Sequence, residues 1–131
     1  MSSLPMAAFV TLLTVLLLFV TALNVGRARV RYGIKAPAVS GHEVFERAFR
    51  IQMNTLENTL LMLPALWLYA GLIGDRGAGM MGIVWLVGRV WYAVAYQINP
   101  DKRGGGFGLA MLAFAGLWFG ALWGVVRVMA H

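Results

Sequence analysis

"ERAFRIQMNTLENTLLMLPALWLYA", Glu46–Ala70, begins as a run of charged and amide side chains and ends as an apolar span. A helix turns about 100° per residue, so Arg50, Asn54 and Glu57 share one face within about 60°. Arg47 and Asn58 flank that stripe, and Gln52 points to roughly the opposite side. A charge at the centre of a bilayer costs at least ~2.5–3.5 kcal/mol, so such a stripe faces a helix, a cavity or water rather than lipid.

The surrounding chain supplies the bilayer. Of its 131 residues, 60% are hydrophobic and 12% charged, against roughly 25% charged in soluble domains. Leu4–Leu23 carries no charge, and at about 1.5 Å per residue it crosses a hydrocarbon core of about 30 Å. It has no basic leader and its apolar run exceeds that of a signal peptide, which favours a retained helix. Further spans are expected at about 49–73, 80–96 and 107–128, separated by "GDRGAG" (Gly74–Gly79) and "NPDKRGGG" (Asn99–Gly106). Such short connections make neighbours antiparallel. The expected fold is therefore all-α: one domain over residues 1–131, an integral membrane four-helix up-down bundle. Gly104–Gly106 follow no strand and lack phosphate-loop spacing, so they read as a flexible hinge.

Charge distribution sets orientation and excludes one function class. The net charge is +6, yet Arg27, Arg29, Arg31 and Lys35 cluster in the first connection, Val25–Val44, while Lys102 and Arg103 lie in the third. The positive-inside rule puts both connections in the cytoplasm and both termini on the opposite side. No soluble fold remains to present the charge to nucleic acid. The chain has no cysteine, which excludes disulfides, thiolate metal sites and cysteine nucleophiles. His42 and His131 have no acidic or histidine partner at metal-ligand spacing, so no metal site is expected. No Ser-His-Asp pattern, redox motif or calcium loop is present. The tryptophans suit interfacial anchoring and packing. A four-helix proton-coupled antiporter would need a glutamate within the first span, and none is there.

Two readings of the polar stripe remain. One is an interhelical network in which Glu57 neutralises Arg50 or Arg89 and the asparagines cross-link helices, although such contacts return only ~0.6–2 kcal/mol each. The other is a polar pocket for a small charged ligand, with arginines gripping carboxylates and Glu57 gripping an ammonium group. Arg89, Tyr92 and Tyr96 share a face of the third helix and extend the same polar surface.

The residues carrying this pattern resemble a known family. Glu46, Arg47, Arg50, Gln52, Asn54, Glu57 and Asn58 match E-R-x-x-R-x-(H/Q)-x-N-x-x-E-(N/T/Y), the second-helix signature of the MAPEG family, membrane-associated proteins in eicosanoid and glutathione metabolism. "GRVWYAVAYQINPDKR", Gly88–Arg103, is similar to the third-helix pattern R-x-x-(Y/H)-x-x-x-Y followed by a basic residue. The resemblance implies a homotrimer with glutathione as co-substrate between subunits near the cytoplasmic face. It implies that Arg50, Asn54 and Glu57 hold glutathione, Glu57 at the γ-glutamyl ammonium, with Gln52, Asn58, Arg89, Tyr92 and Tyr96 at the same site. Arg103 matches the arginine that activates the thiol, and Arg29 or Arg31 matches a carboxylate contact. Asn58 stands where the leukotriene-forming branch has Tyr, closer to the broad-specificity microsomal transferases.

The implied function is a glutathione transferase, with peroxidase activity as an extension, acting on lipophilic molecules that arrive from membrane lipid. The alternative is a non-catalytic member that binds lipid or a partner. Retention of Arg103 and both tyrosines favours the enzyme.

Overall fold

The computed structural model describes residues 4–131; residues 1–3, included in the single-domain reading of the sequence, lie outside the described residues. Four helices follow one another: α1 Pro5–Tyr32, α2 Glu43–Leu72, α3 Asp75–Ile98 and α4 Gly104–Met129, with a 3-10 turn, Pro100–Lys102, leading into α4. No strand occurs among the described residues. The protein is an all-α membrane bundle.

α1 starts with Pro5 in its first turn, where a missing N–H costs nothing. It ends at Gly33, whose φ of 66° suits glycine and whose N–H bonds to the Arg29 carbonyl. Arg27, Arg29 and Arg31, read from sequence as loop residues, therefore ride on the last turns of α1. Asn24 and Gly26 weaken the helix between Leu23 and Gly33 without ending it, and cations are favoured near a helix C-terminus. α2 likewise begins ahead of its apolar run. His42 caps it, Nδ1 accepting from the Val44 N–H at 3.1 Å, and Glu43 and Glu46 occupy the first turn.

Two further boundaries differ from the sequence reading. "GDRGAG" is a turn only at Ile73–Gly74, because Asp75 opens α3. The Asp75 carboxylate accepts from the N–H groups of Met6 and Ala7, both at 2.9 Å. One side chain thus caps α1 and pins the starts of α1 and α3 together at the same end of the bundle. At the other end, Arg47 donates to the carbonyls of Gln97 and Ile98, 3.1 and 3.4 Å, tying the start of α2 to the end of α3.

Gly104–Gly106 are not a hinge either. They form the first turn of α4, and Gly106 is buried against α3. A Cβ at Gly106 would meet the Tyr92 backbone, including Cα at 2.8 Å, and the Gly88 carbonyl oxygen at 2.6 Å. A Cβ at Gly88 would meet the Ala110 nitrogen at 2.7 Å. The pair is a small-residue seam that lets the two backbones close up. Gly106→Ala must push α4 off α3, with backbone rather than flexible side chains in the way. The expected loss is about 3 kcal/mol, read as a lowered melting temperature in detergent.

α2 and α3 each pack against every other helix and form the centre, with α1 and α4 flanking them. The larger core joins Val10, Met62, Leu66, Trp85 and Leu117; a smaller one, Val25, Ala28, Phe45 and Ala48, lies where α1 ends and α2 begins. Outward faces carry exposed Phe9, Leu12, Leu16, Phe19, Leu112 and Phe119, as lipid contact requires. Helices α1 and α3 and the stretch Pro100–Met129 are long and apolar enough to cross a membrane. α2 is not among these. Asn54, Glu57 and Asn58 dilute its apolar half, and its place between α1, α3 and α4 covers much of its length.

Candidate functional site

Where the polar face of α2 meets α3 and the turn before α4, the bundle opens into a cavity of about 560 Å³. Its walls bring together Glu46, Arg50, Asn54 and Glu57 from α2, Tyr92 and Tyr96 from α3, and Arg103 from the turn into α4. Val39 and Ser40 of the 33–42 connection, with Phe49 and Met53, complete the lining. Residues separated by up to 64 positions in sequence, Val39 and Arg103, thus converge, because antiparallel packing sets the start of α2, the end of α3 and the start of α4 side by side.

Each side chain has a local cause for its placement. One turn of α2 separates Arg50 from Asn54 and another separates Asn54 from Glu57, so all three project to the same side. Glu46 accepts from the Gly41 N–H at 3.1 Å and holds the connection beside the cavity. Tyr92 is buried and Tyr96 half-buried, their ring centroids 5.6 Å apart. The Arg103 guanidinium carbon lies 5.5 Å from the Tyr96 ring centre, and Nη1 donates to the Pro100 carbonyl at 2.9 Å. Arg103 stands exposed at the mouth.

The wall continues inward to Arg89, whose guanidinium carbon sits 4.3 Å from the Tyr92 ring centre. Arg89 is 1% exposed and does not line the cavity. Its Nη2 donates to Asn54 Oδ1 at 2.8 Å and Thr55 Oγ1 at 2.9 Å. Asn58 also stands behind the lining, donating through Nδ2 to the Asn54 backbone oxygen at 2.8 Å.

Three expected residues lie elsewhere. Gln52 projects away from the stripe, as helical periodicity required, and does not line the cavity. Arg29 turns inward along α1, donating to the Ala38 carbonyl at 2.7 Å with its guanidinium over Phe45. Arg31 lines a separate groove on α1 with Arg27. None of these three reaches the cavity of its own chain.

The interhelical ion-pair reading is overturned. Among the described residues the salt bridge is Arg47 with Glu43, on one helix. Glu57 and Arg50 are exposed in the cavity and have no ion-pair partner among the described residues, and Arg89 is met by neutral groups. The cavity therefore presents two guanidiniums, two carboxylates, an amide and two phenols to a ligand carrying both signs of charge, with Glu46, Asn54 and Arg103 each already hydrogen-bonded within the chain. Among the described residues no cluster of metal ligands occurs. Sequence reasoning missed Val39, Ser40, Phe49 and Met53 as lining residues, and Thr55 as the partner of Arg89. Glu46 stood in the matched motif without being assigned to the site; its spacing one turn before Arg50 was the available signal.

Comparison with known proteins gives the family. A protein of Synechocystis that is itself uncharacterised is 45% identical over 115 residues, covering 88% of this chain and 84% of the relative. Human microsomal glutathione S-transferase 2 is 37% identical over 90 residues, 69% of this chain and 61% of that protein. Leukotriene C4 synthase of Cavia porcellus is 36% identical over 96 residues, 73% of this chain and 64% of that protein. Over the two named enzymes the match thus spans less than two thirds of their length. The model of the MAPEG family matches residues 7–123, reaching into all four helices and covering every residue of the cavity, and the chain belongs to that family.

Proposed function

We propose that the protein is a membrane-embedded, glutathione-dependent transferase acting on lipophilic electrophiles. One observation carries the reading: Arg50, Asn54, Glu57, Tyr92, Tyr96 and Arg103 line a single open cavity, and it is supported by relatives 36–37% identical in sequence that are named as a glutathione S-transferase and a leukotriene C4 synthase. Glutathione carries one ammonium, two carboxylates and a thiol. Glu57 meets the ammonium, Arg50 a carboxylate, and Asn54 a peptide or carboxylate oxygen.

Arg103 supplies the chemistry. A free thiol titrates near 8.5, so only a few per cent is thiolate at neutral pH. A guanidinium within about 4 Å stabilises the anion and lowers that value by one to two units. The proton leaves to water at the cavity mouth. The thiolate sulfur then forms a bond to the electrophilic carbon, and the displaced electron pair leaves on the departing group or on a ring oxygen that takes a proton from water. With a hydroperoxide, sulfur takes the terminal oxygen, the alcohol departs, and a second glutathione converts the sulfenic acid to disulfide and water. Electrophile and hydroperoxide arrive from the bilayer across exposed apolar helix faces.

The assembly follows the same proposal. Arg50, Glu57 and Arg103 are exposed in the single chain, and a homotrimer in which a neighbouring copy closes that side would shelter them. Gln52 and either Arg29 or Arg31 would then act from the neighbouring copy. The 1–2 and 3–4 connections face the cytoplasm, where glutathione is abundant, with both termini opposite.

The test is product formation. Protein in liposomes, given glutathione and a panel of lipophilic electrophiles and hydroperoxides, is expected to yield thioethers or reduced alcohols well above protein-free controls. Saturable glutathione binding with no product from any of them would instead establish a non-catalytic binding protein.

A further inference from the structure

Arg89 is a buried cation with no carboxylate at ion-pair distance among the described residues. Taking an unpaired charge out of water is costly, so an apolar residue would serve packing better. What Arg89 touches explains its presence. A guanidinium only donates hydrogen bonds, so the Asn54 atom 2.8 Å from Nη2 must be the carbonyl oxygen Oδ1. Asn58 Nδ2 approaches that same oxygen at 3.3 Å. Two donors from behind therefore settle which way the amide is turned, a choice that an isolated asparagine leaves open.

The other end of the amide faces forward. Asn54 lines the cavity, and its Nδ2 neither donates to another group nor counts among the buried unpartnered atoms of the described residues. We propose that Arg89 is a positioning residue that locks Asn54 with its N–H₂ aimed into the cavity, so that the ligand segment lying between Arg50 and Glu57 must present a carbonyl or carboxylate oxygen. The inference rests on the glutathione reading of the cavity and adds a selection rule to it. A peptide-like thiol satisfies that rule. A thiol whose only polar group at that point is an ammonium, which donates and cannot accept, does not.

The test separates positioning from packing by reading affinity and stability together in detergent-purified protein. Asn54→Asp keeps the shape and gives the buried guanidinium a carboxylate partner, so the melting temperature is expected to hold or rise. The cavity side becomes a second acceptor beside Glu57, and glutathione affinity is expected to fall about tenfold, the worth of one charge-assisted hydrogen bond. Arg89→Met removes the lock while keeping the volume, and affinity is expected to fall about fivefold. Arg89→Lys restores a donor and is expected to recover part of that loss.

Affinity within twofold of wild type for both Asn54→Asp and Arg89→Met would overturn the positioning role while leaving the glutathione reading intact. Parallel loss of affinity and stability in both variants would overturn it in favour of packing. No glutathione binding by the wild type would overturn both readings.

Discussion

Arg50→Ala and Glu57→Gln are each expected to weaken glutathione binding roughly 30-fold, and neither is expected to destabilise the fold. Both side chains are exposed in the cavity, and the described residues contain no ion pair for either, so the bundle loses no internal contact when one is truncated. Surface changes of that kind usually stay within about 0.5 kcal/mol. The ligand loses a charge-assisted hydrogen bond, about 2 kcal/mol once water is excluded from the cavity. The split between affinity and stability is the informative feature. Calorimetric titration supplies the first quantity and thermal denaturation in detergent the second. A drop in melting temperature for either variant would show that the side chain serves the bundle instead.

Arg103→Ala is expected to separate binding from activation. Arg103 stands at the mouth of the cavity, and its carbonyl contact to Pro100 lies within its own turn, so affinity is expected to stay within about threefold. Thiolate is another matter. With the thiol lowered by two units to about 6.5, roughly three quarters of bound glutathione is ionised at pH 7; at 8.5, about 3% is. The thiolate population therefore falls about 25-fold at pH 7 in the variant. Turnover falls less, because a less acidic thiol is the better nucleophile once ionised. The sign with pH follows: a lowered thiol value helps most below 8.5, so the deficit of the variant narrows as pH rises past it. Ultraviolet absorbance of the bound thiolate, followed from pH 5 to 10, reads both midpoints. Coincident midpoints for wild type and variant would remove Arg103 from the chemistry.

Much of this was legible in the sequence, and what was not has a common physical cause. Run lengths and breakers located four helices, and periodicity put Arg50, Asn54 and Glu57 on one face and Gln52 on the other, as found. Periodicity orders residues around one helix, but it carries no information on how that helix is rotated against its neighbours. Hence Arg89 was placed with the ligand residues, although rotation of α3 against α2 sets it behind Asn54. Arg27, Arg29 and Arg31 looked like a loop because charge ends an apolar run. Backbone does not end there, since arginine is a good helix former, α1 runs on through Gly26, and Gly33 is where the chain turns left-handed. Gly104–Gly106 looked mobile for the converse reason: glycine loosens an isolated chain, whereas at a helix crossing it admits the closest approach of two backbones.

The proposed trimer gives the exposed side of the cavity its partner. Within one chain Arg29 is held by Ala38 and Phe45, and Arg31 lies in a groove away from the cavity. In the proposed trimer, either one would meet ligand only from an adjacent copy.

The most direct measurement is calorimetric titration of glutathione into the wild-type protein, purified in detergent. Saturable binding at or below millimolar concentration, close to one site per cavity, is the expected result. No saturable binding at millimolar glutathione would contradict it: the converging arginines, carboxylates and tyrosines would then serve another ligand, and the transferase reading would fail.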